Sequence, residues 1–154
     1  MTYKNSIELL LRENIIKKCP IDHKAIKNLL KRTSIDLKTA KRNLEQDEEC
    51  AYTYAYNALL RSGIALMFSQ GFRPDIKNKH LTVVRFSSII LGEKFKQLIN
   101  SYDFMRKKRH KFVYEPDIPC SIKEAKDAIK TAEKFVNRIS ELISSQNPQH
   151  KLNF

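Results

Sequence analysis

Glycine is scarce: the chain has 154 residues and only 3 glycines, with 5 prolines, where average usage would give roughly 11 and 8. A sandwich or barrel that turns every 8–12 residues is therefore excluded in favour of long helices. Cysteine is scarce as well. Cys19, Cys50 and Cys120 are odd in number, widely spaced and without a CxxC pair, so neither a disulfide framework nor a zinc site is expected. No uncharged apolar stretch approaches the ~20 residues of a membrane span. The opening MTYKNSIELLLREN carries Glu8, Arg12 and Glu13 around a short apolar run and is no signal peptide. A P-loop, a GxGxxG, an HExxH and a nucleophile triad are also missing. The expectation is a cytoplasmic protein with no membrane association, no metal and no cofactor.

Acid is in short supply relative to base. Lys and Arg number 29 against 17 Asp and Glu, a formal net charge of +12. Hydrophobic residues make up 42% of the chain, enough for a packed core, so the positive charge decorates a folded surface. Such a surface favours polyanions without choosing among them. The excess is spread along the chain: residues 1–50 hold 11 basic and 8 acidic side chains, 51–100 hold 7 and 2, and 101–154 hold 11 and 7.

Helical periodicity runs through most of the sequence. Ile7, Leu10, Leu11, Ile15 and Ile16 predict a helix from Ser6 to about Lys18, stopped by Pro20. Asp22 can cap a helix over 23–46, with Ile26, Leu30, Leu37, Ala40 and Leu44 on one face. Asp47 can cap the next, which reaches Gly71 with Pro74 beyond. Residues 71–79 read as a polar loop. Val83, Val84, Ile89 and Ile90 suit a strand on propensity, but a lone strand has no sheet to join, so 80–90 is read as helix. Gly92 breaks it, and Glu93 to about Tyr114 forms another. Ser121 and Glu124 make a capping box for a last helix running to about Ser144. The domain plan is an N-terminal helical extension over 1–20, a helical bundle over 21–145 and a frayed tail over 146–154.

One charge run stands out: RKKRHK, Arg106 to Lys111, flanked by Tyr102, Phe104, Phe112 and Tyr114. At ~100° per residue, Phe95, Leu98, Tyr102, Met105 and Val113 share a face with Arg109 in its middle and Arg106 near its edge, while Lys107, Lys108 and Lys111 point away. An arginine inside an apolar stripe costs several kcal/mol to desolvate unless an acceptor meets it. The acceptor is either a phosphate or a carboxylate such as Asp36 or Glu48. His110 and Tyr114 follow at a spacing from which an imidazole and a phenol could deprotonate a ribose 2′-hydroxyl or stack on a base. Tyr52 and Tyr56 read as core, Asn57 and Arg61 as solvated surface, Gly63 as a close helix approach and His80 as a structural residue at a helix start.

Several of these stretches together resemble the HEPN domains (higher eukaryote and prokaryote nucleotide-binding). They are the DL-x-x-A helix (Asp36, Leu37, Ala40), the AYxxAYNALL-like helix ending in GFRP (Ala51 to Pro74), then His80, RKKRHKFVYE and the amphipathic last helix. The resemblance implies an all-α up-and-down bundle of HEPN type pairing as a two-fold dimer. It also implies a metal-independent endoribonuclease of toxin or defence type, carrying an Arg, a polar residue, and a His separated from the Arg by four to six residues. Arg109 matches the motif arginine and His110 its polar residue, while Tyr114 stands where the histidine falls. Arg106 with His110 is a second alignment, one residue short of that spacing. Arg109, His110 and Tyr114 are thus the candidate catalytic residues, and Arg106, Lys107, Lys108 and Lys111 the candidate nucleic-acid-binding residues. The alternative is a non-catalytic nucleotide- or RNA-binding module partnered by a minimal nucleotidyltransferase antitoxin. A phenol is a poor general base at neutral pH, which favours that alternative.

Overall fold

Three local caps start the three longest helices in the computed structural model, which describes residues 2–150. Asp22 accepts from the Ala25 amide to open α2 (His23–Asn43), where α1 is Tyr3–Arg12. Asp47 accepts from the Cys50 amide to open α3 (Glu48–Ser69), and Ser121 accepts from the Glu124 amide to open α6 (Ile122–Gln146). Each side-chain oxygen satisfies a backbone donor that the helix itself leaves unpaired. Between them lie α4 (Lys79–Leu91) and α5 (Lys96–Tyr114), the latter preceded by a short 3₁₀ turn at Glu93–Phe95. The architecture is the all-α bundle that the sequence implies.

The central element is α3. Its buried residues include Ala51, Tyr56, Leu59, Gly63, Leu66 and Met67 and lie all around the helix, as expected of one surrounded by partners. The helix packs most extensively on α2 and α6, and also on α4 and α5. The turn from Leu44 to Asp47 sets α2 and α3 side by side. Asp36 of α2, fully buried, accepts from Arg61 of α3 at 2.5 Å and lies 3.6 Å from Arg32. Arg61 is therefore an internal ion-pair partner, not the solvated residue its sequence context suggests.

At Gly63 a β-carbon would run into Cγ1 of Val83 on α4, which is itself fully buried. The glycine sets the approach of α3 to α4 and hence the position of α4. Gly63→Ala should lower the unfolding free energy by about 1–3 kcal/mol through overpacking, read as a shifted midpoint at constant slope in urea.

The N-terminal segment departs from the helical expectation. α1 stops at Arg12, Asn14 takes a left-handed φ of 56°, and Ile16–Lys18 becomes a strand, β1. β1 pairs antiparallel with β2 (Phe72–Pro74), Ile16 opposite Pro74 and Lys18 opposite Phe72, inside the stretch read as a loop. Ile16 is buried, and Lys17 meets Asp75 at 3.1 Å. This clip anchors the connection that leads into α4. The pairing partner of Ile16 is remote in sequence, so periodicity within the segment carries no sign of it.

The tail also differs from expectation over its first part. Pro148–His150 forms a 3₁₀ turn that tucks His150 against α2. Nε2 of His150 lies 2.9 Å from Nδ1 of His23, and Asn147 Nδ2 lies 3.3 Å from the same His23 atom. Residues 151–154 of the expected frayed tail lie outside the described residues. Burial first, then the charges of His23 and Lys27, hold the His150 imidazole below its ordinary pKa. The unfolded chain therefore binds the proton more readily than the folded one, so His150's share of stability is present above about pH 6.5 and is lost as pH falls through its lowered value. The melting temperature should accordingly drop between pH 7.5 and 5.5, and His150→Phe should flatten that drop.

Candidate RNA-directed site on helix five

α5 buries Ile99, Tyr102, Met105 and Phe112. Arg109 falls between Met105 and Phe112 on that face, half-buried, as the sequence stripe places it. Val113 does not follow the stripe: it is 60% exposed, and the residue beside it, Phe112, is the one that faces the bundle, packing edge-on against Tyr52 with centroids 5.2 Å apart.

The carboxylate partner considered for Arg109 is not there. Asp36 is engaged by Arg61 and Arg32, and Arg109 makes no ion pair with Glu48 among the described residues. Instead the guanidinium carbon lies 5.6 Å from the centroid of the Tyr56 ring on α3, a cation–π contact. Arg109 Nε is buried and has no hydrogen-bond partner among the described residues. A buried N–H of a charged group left unpaired is costly, of the order of several kcal/mol before relaxation. An anion is one group that could supply the missing acceptor.

The Tyr56 hydroxyl lies 2.6 Å from Nδ1 of His80, in the first turn of α4. Burial pushes the Tyr56 phenol up to about 12, with Arg109 and Arg106 pulling the other way. Burial, then the positive charges of Arg109, Lys79 and Arg106, lowers the His80 pKa. Tyr102, fully buried, packs edge-on against Tyr56, and its hydroxyl has no partner among the described residues. His80 is thus a neighbour of Arg109, a placement that the reading of His80 as a helix-start residue missed. Within its own segment nothing marks it, since both neighbours come from other helices.

The remaining candidates lie elsewhere. His110 and Tyr114 are exposed and touch each other, ring centroids 4.4 Å apart, at the outer end of α5. The structure does not bring them onto the Tyr56 ring with Arg109. Lys107, Lys108, Lys111, Arg106, His110 and the 64%-exposed Phe104 line an outer groove of about 570 Å³. Its charge is less free than the run suggests. Arg106 pairs with Asp103 at 2.8 Å and Lys107 with the same carboxylate at 3.2 Å. Lys108 pairs with Glu124 of α6 and leans over Phe112, so it is tied across the bundle and not simply turned to solvent.

Among the described residues no three His, Cys, Asp or Glu side chains converge to hold a metal ion, and no helix is long and apolar enough to cross a membrane. Comparison with curated proteins and with solved structures gives no match. Comparison with families does: the HEPN domain model matches residues 26–142, from the first buried turn of α2 almost to the end of α6. With that span inside one helical bundle built around α3, the chain belongs to the HEPN family.

Proposed function

We propose that this HEPN protein acts on RNA and cleaves it without a metal, with Arg109 holding the scissile phosphate. Family membership supports a nucleotide- or RNA-related role in general. The observation that carries the finer reading is the half-buried Arg109 guanidinium, set against an aromatic ring with its Nε unpartnered. In the proposed reaction the 2′-oxygen bonds to the adjacent phosphorus and loses its proton. The bond from phosphorus to the 5′-oxygen breaks, and that oxygen gains a proton, leaving 2′,3′-cyclic phosphate and 5′-hydroxyl ends. Arg109 opposes the charge that grows on the phosphoryl oxygens. His110, the residue after Arg109, and Tyr114, more than a turn further along α5, serve proton transfer from the exposed side of the helix, while Lys107, Lys108 and Lys111 steer the strand. We include a two-fold dimer in this reading, since Val113 is exposed on the same helix face as Arg109. Total RNA incubated with the purified protein in excess chelator, followed by analysis of the new ends, tests it. Cyclic-phosphate ends support the reading, and intact RNA refutes it.

A second reading is favoured by Tyr114, whose side chain is 71% exposed. On this reading the chain binds a nucleotide or RNA without cutting it, and a nucleotidyltransferase partner attaches a nucleotide to the Tyr114 hydroxyl. Mass spectrometry after co-expression with a nucleotidyltransferase encoded beside it would show a gain on wild type that Tyr114→Phe abolishes.

A further inference from the structure

The chemistry proposed above leaves His80 unused, although its surroundings are unusually specific. Its Nδ1 lies 2.6 Å from the Tyr56 hydroxyl, with ring planes 12° apart. Tyr56 is fully buried and holds its proton firmly, its pKa being pushed up to about 12. A buried hydroxyl proton needs an acceptor, and Nδ1 is the acceptor in reach. With Tyr56 donating to Nδ1, the neutral imidazole carries its own proton on Nε2, at the far side of the ring. His80 then offers a fixed N–H donor without needing to be charged.

Three further observations show that the surroundings of that donor are positive and short of acceptors. Arg109 lies over the same Tyr56 ring with its buried Nε unpaired among the described residues. The N-cap of α4, Asn78, makes no side-chain cap and no acid stands in the first turn, so the positive end of that helix is left open next to His80. Every charge that acts on His80 is positive: Arg109 and Arg106 from α5, and Lys79 from α4 itself. Asp103, the carboxylate that acts on Tyr56, is already engaged by Arg106 and Lys107.

We infer that His80 and Arg109 form one phosphate-binding site for the RNA backbone, His80 donating Nε2–H to a non-bridging oxygen and Tyr56 acting as the positioning residue that fixes the tautomer. The inference rests on the reading of Arg109 as the phosphate-holding group. It also relocates the imidazole: Tyr114 stands at the histidine position of the motif helix, and the ring that meets the anion comes from α4. Because the Tyr56 hydroxyl occupies Nδ1, the ring that meets the phosphate stays neutral and contributes through its Nε2–H alone.

The test uses the full chain and a single-stranded 2′-O-methyl RNA oligonucleotide, which cannot be cut by 2′-hydroxyl attack. Binding is read by fluorescence anisotropy, with the fold of each variant checked by circular dichroism. His80→Phe should weaken binding about tenfold, the worth of one hydrogen bond to a charged acceptor. His80→Gln, which keeps an N–H donor at similar reach, should recover most of the affinity, and Tyr56→Phe should fall between. Should the His80 variants fold poorly, the wild-type imidazole ¹⁵N spectrum decides instead: Nε2 carries the proton in the free protein, and its signal moves when the oligonucleotide is added. If His80→Phe binds like wild type while Arg109→Ala does not, or if RNA leaves the His80 ring signals unmoved, the His80 site is overturned and the reading of Arg109 stands. If Arg109→Ala binds like wild type, both fall.

Discussion

Replacing Arg109 by alanine should reduce RNA cleavage by about 100-fold or more, the usual loss when one preorganised donor to a transition-state oxygen is removed. The protein should stay folded, because the side chain is half-buried and makes no ion pair among the described residues. Its contact with the Tyr56 ring is worth only about 1–2 kcal/mol. Arg109→Lys should recover part of the activity and no more. A lysine keeps the charge but loses the planar fork, and with it the Nε–H that points at no partner. Two measurements check this together: initial rates on a labelled single-stranded RNA in chelator, and the melting temperature of each variant. A variant that melts normally and cuts normally would remove Arg109 from the chemistry.

The second large effect concerns Asp36. Asp36→Ala should cost about 3 kcal/mol of stability, near the lower end of the range for breaking a buried ion pair. Asp36 is wholly enclosed while the Arg61 side chain is 32% exposed, so the orphaned guanidinium keeps some access to water. For a chain of this size that loss corresponds to a fall in melting temperature of roughly 6–12 °C. Burial raises the Asp36 pKa while Arg61 and then Arg32 pull it down. The pair therefore contributes registry between α2 and α3 more than net stabilisation. The double variant Asp36→Leu with Arg61→Met should consequently be more stable than Asp36→Ala alone, since an apolar pair leaves no charge behind. Urea unfolding of the two proteins makes the comparison. The Arg32 contact, at 3.6 Å with its side chain 51% exposed, should matter little in either.

What the sequence makes legible divides along physical lines. Helix starts are local: Asp22, Asp47 and Ser121 cap within three residues, so a cap followed by periodic apolar residues locates α2, α3 and α6 closely. Gly71 and Gly92 both take positive φ where helices were expected to end. Arg109 is equally local, because its place beside Tyr102 and Met105 follows from helical geometry alone. Features that need a remote partner stay hidden. The Ile16–Lys18 strand exists because Phe72–Pro74 is there to pair with it. Arg61 looks like surface until Asp36 is placed opposite it. Val113 lies on the buried stripe by angle, yet at that turn it is Phe112 that meets Tyr52 of α3. His80 acquires meaning only when α3 and α5 bring Tyr56 and Arg109 to its side. Grouping Arg109 with His110 and Tyr114 follows their adjacency in sequence, whereas the structure separates them into an inner face and an exposed helix end.

The two faces of α5 also divide the labour of the positive charge. The outer groove carries Phe104 and the lysines, and much of its charge is paired with Asp103 and Glu124. On the proposed reading that arrangement would attract a strand and offer an aromatic face for stacking, and such binding should depend strongly on salt. The inner face carries the Arg109 guanidinium, unpaired among the described residues, and on the proposed reading it is there that a phosphate would gain most from the protein.

The most direct measurement is the arginine Nε–H region of the ¹⁵N spectrum, with the Arg109 signal assigned by its loss in Arg109→Lys. Titration with the uncleavable 2′-O-methyl oligonucleotide should move that signal saturably and leave the Arg61 signal, held by Asp36, in place. An Arg109 signal that stays fixed while the backbone amides of Lys107, Lys108 and Lys111 shift would mean that RNA binds only the outer groove, and would contradict the assignment of Arg109 as the phosphate site.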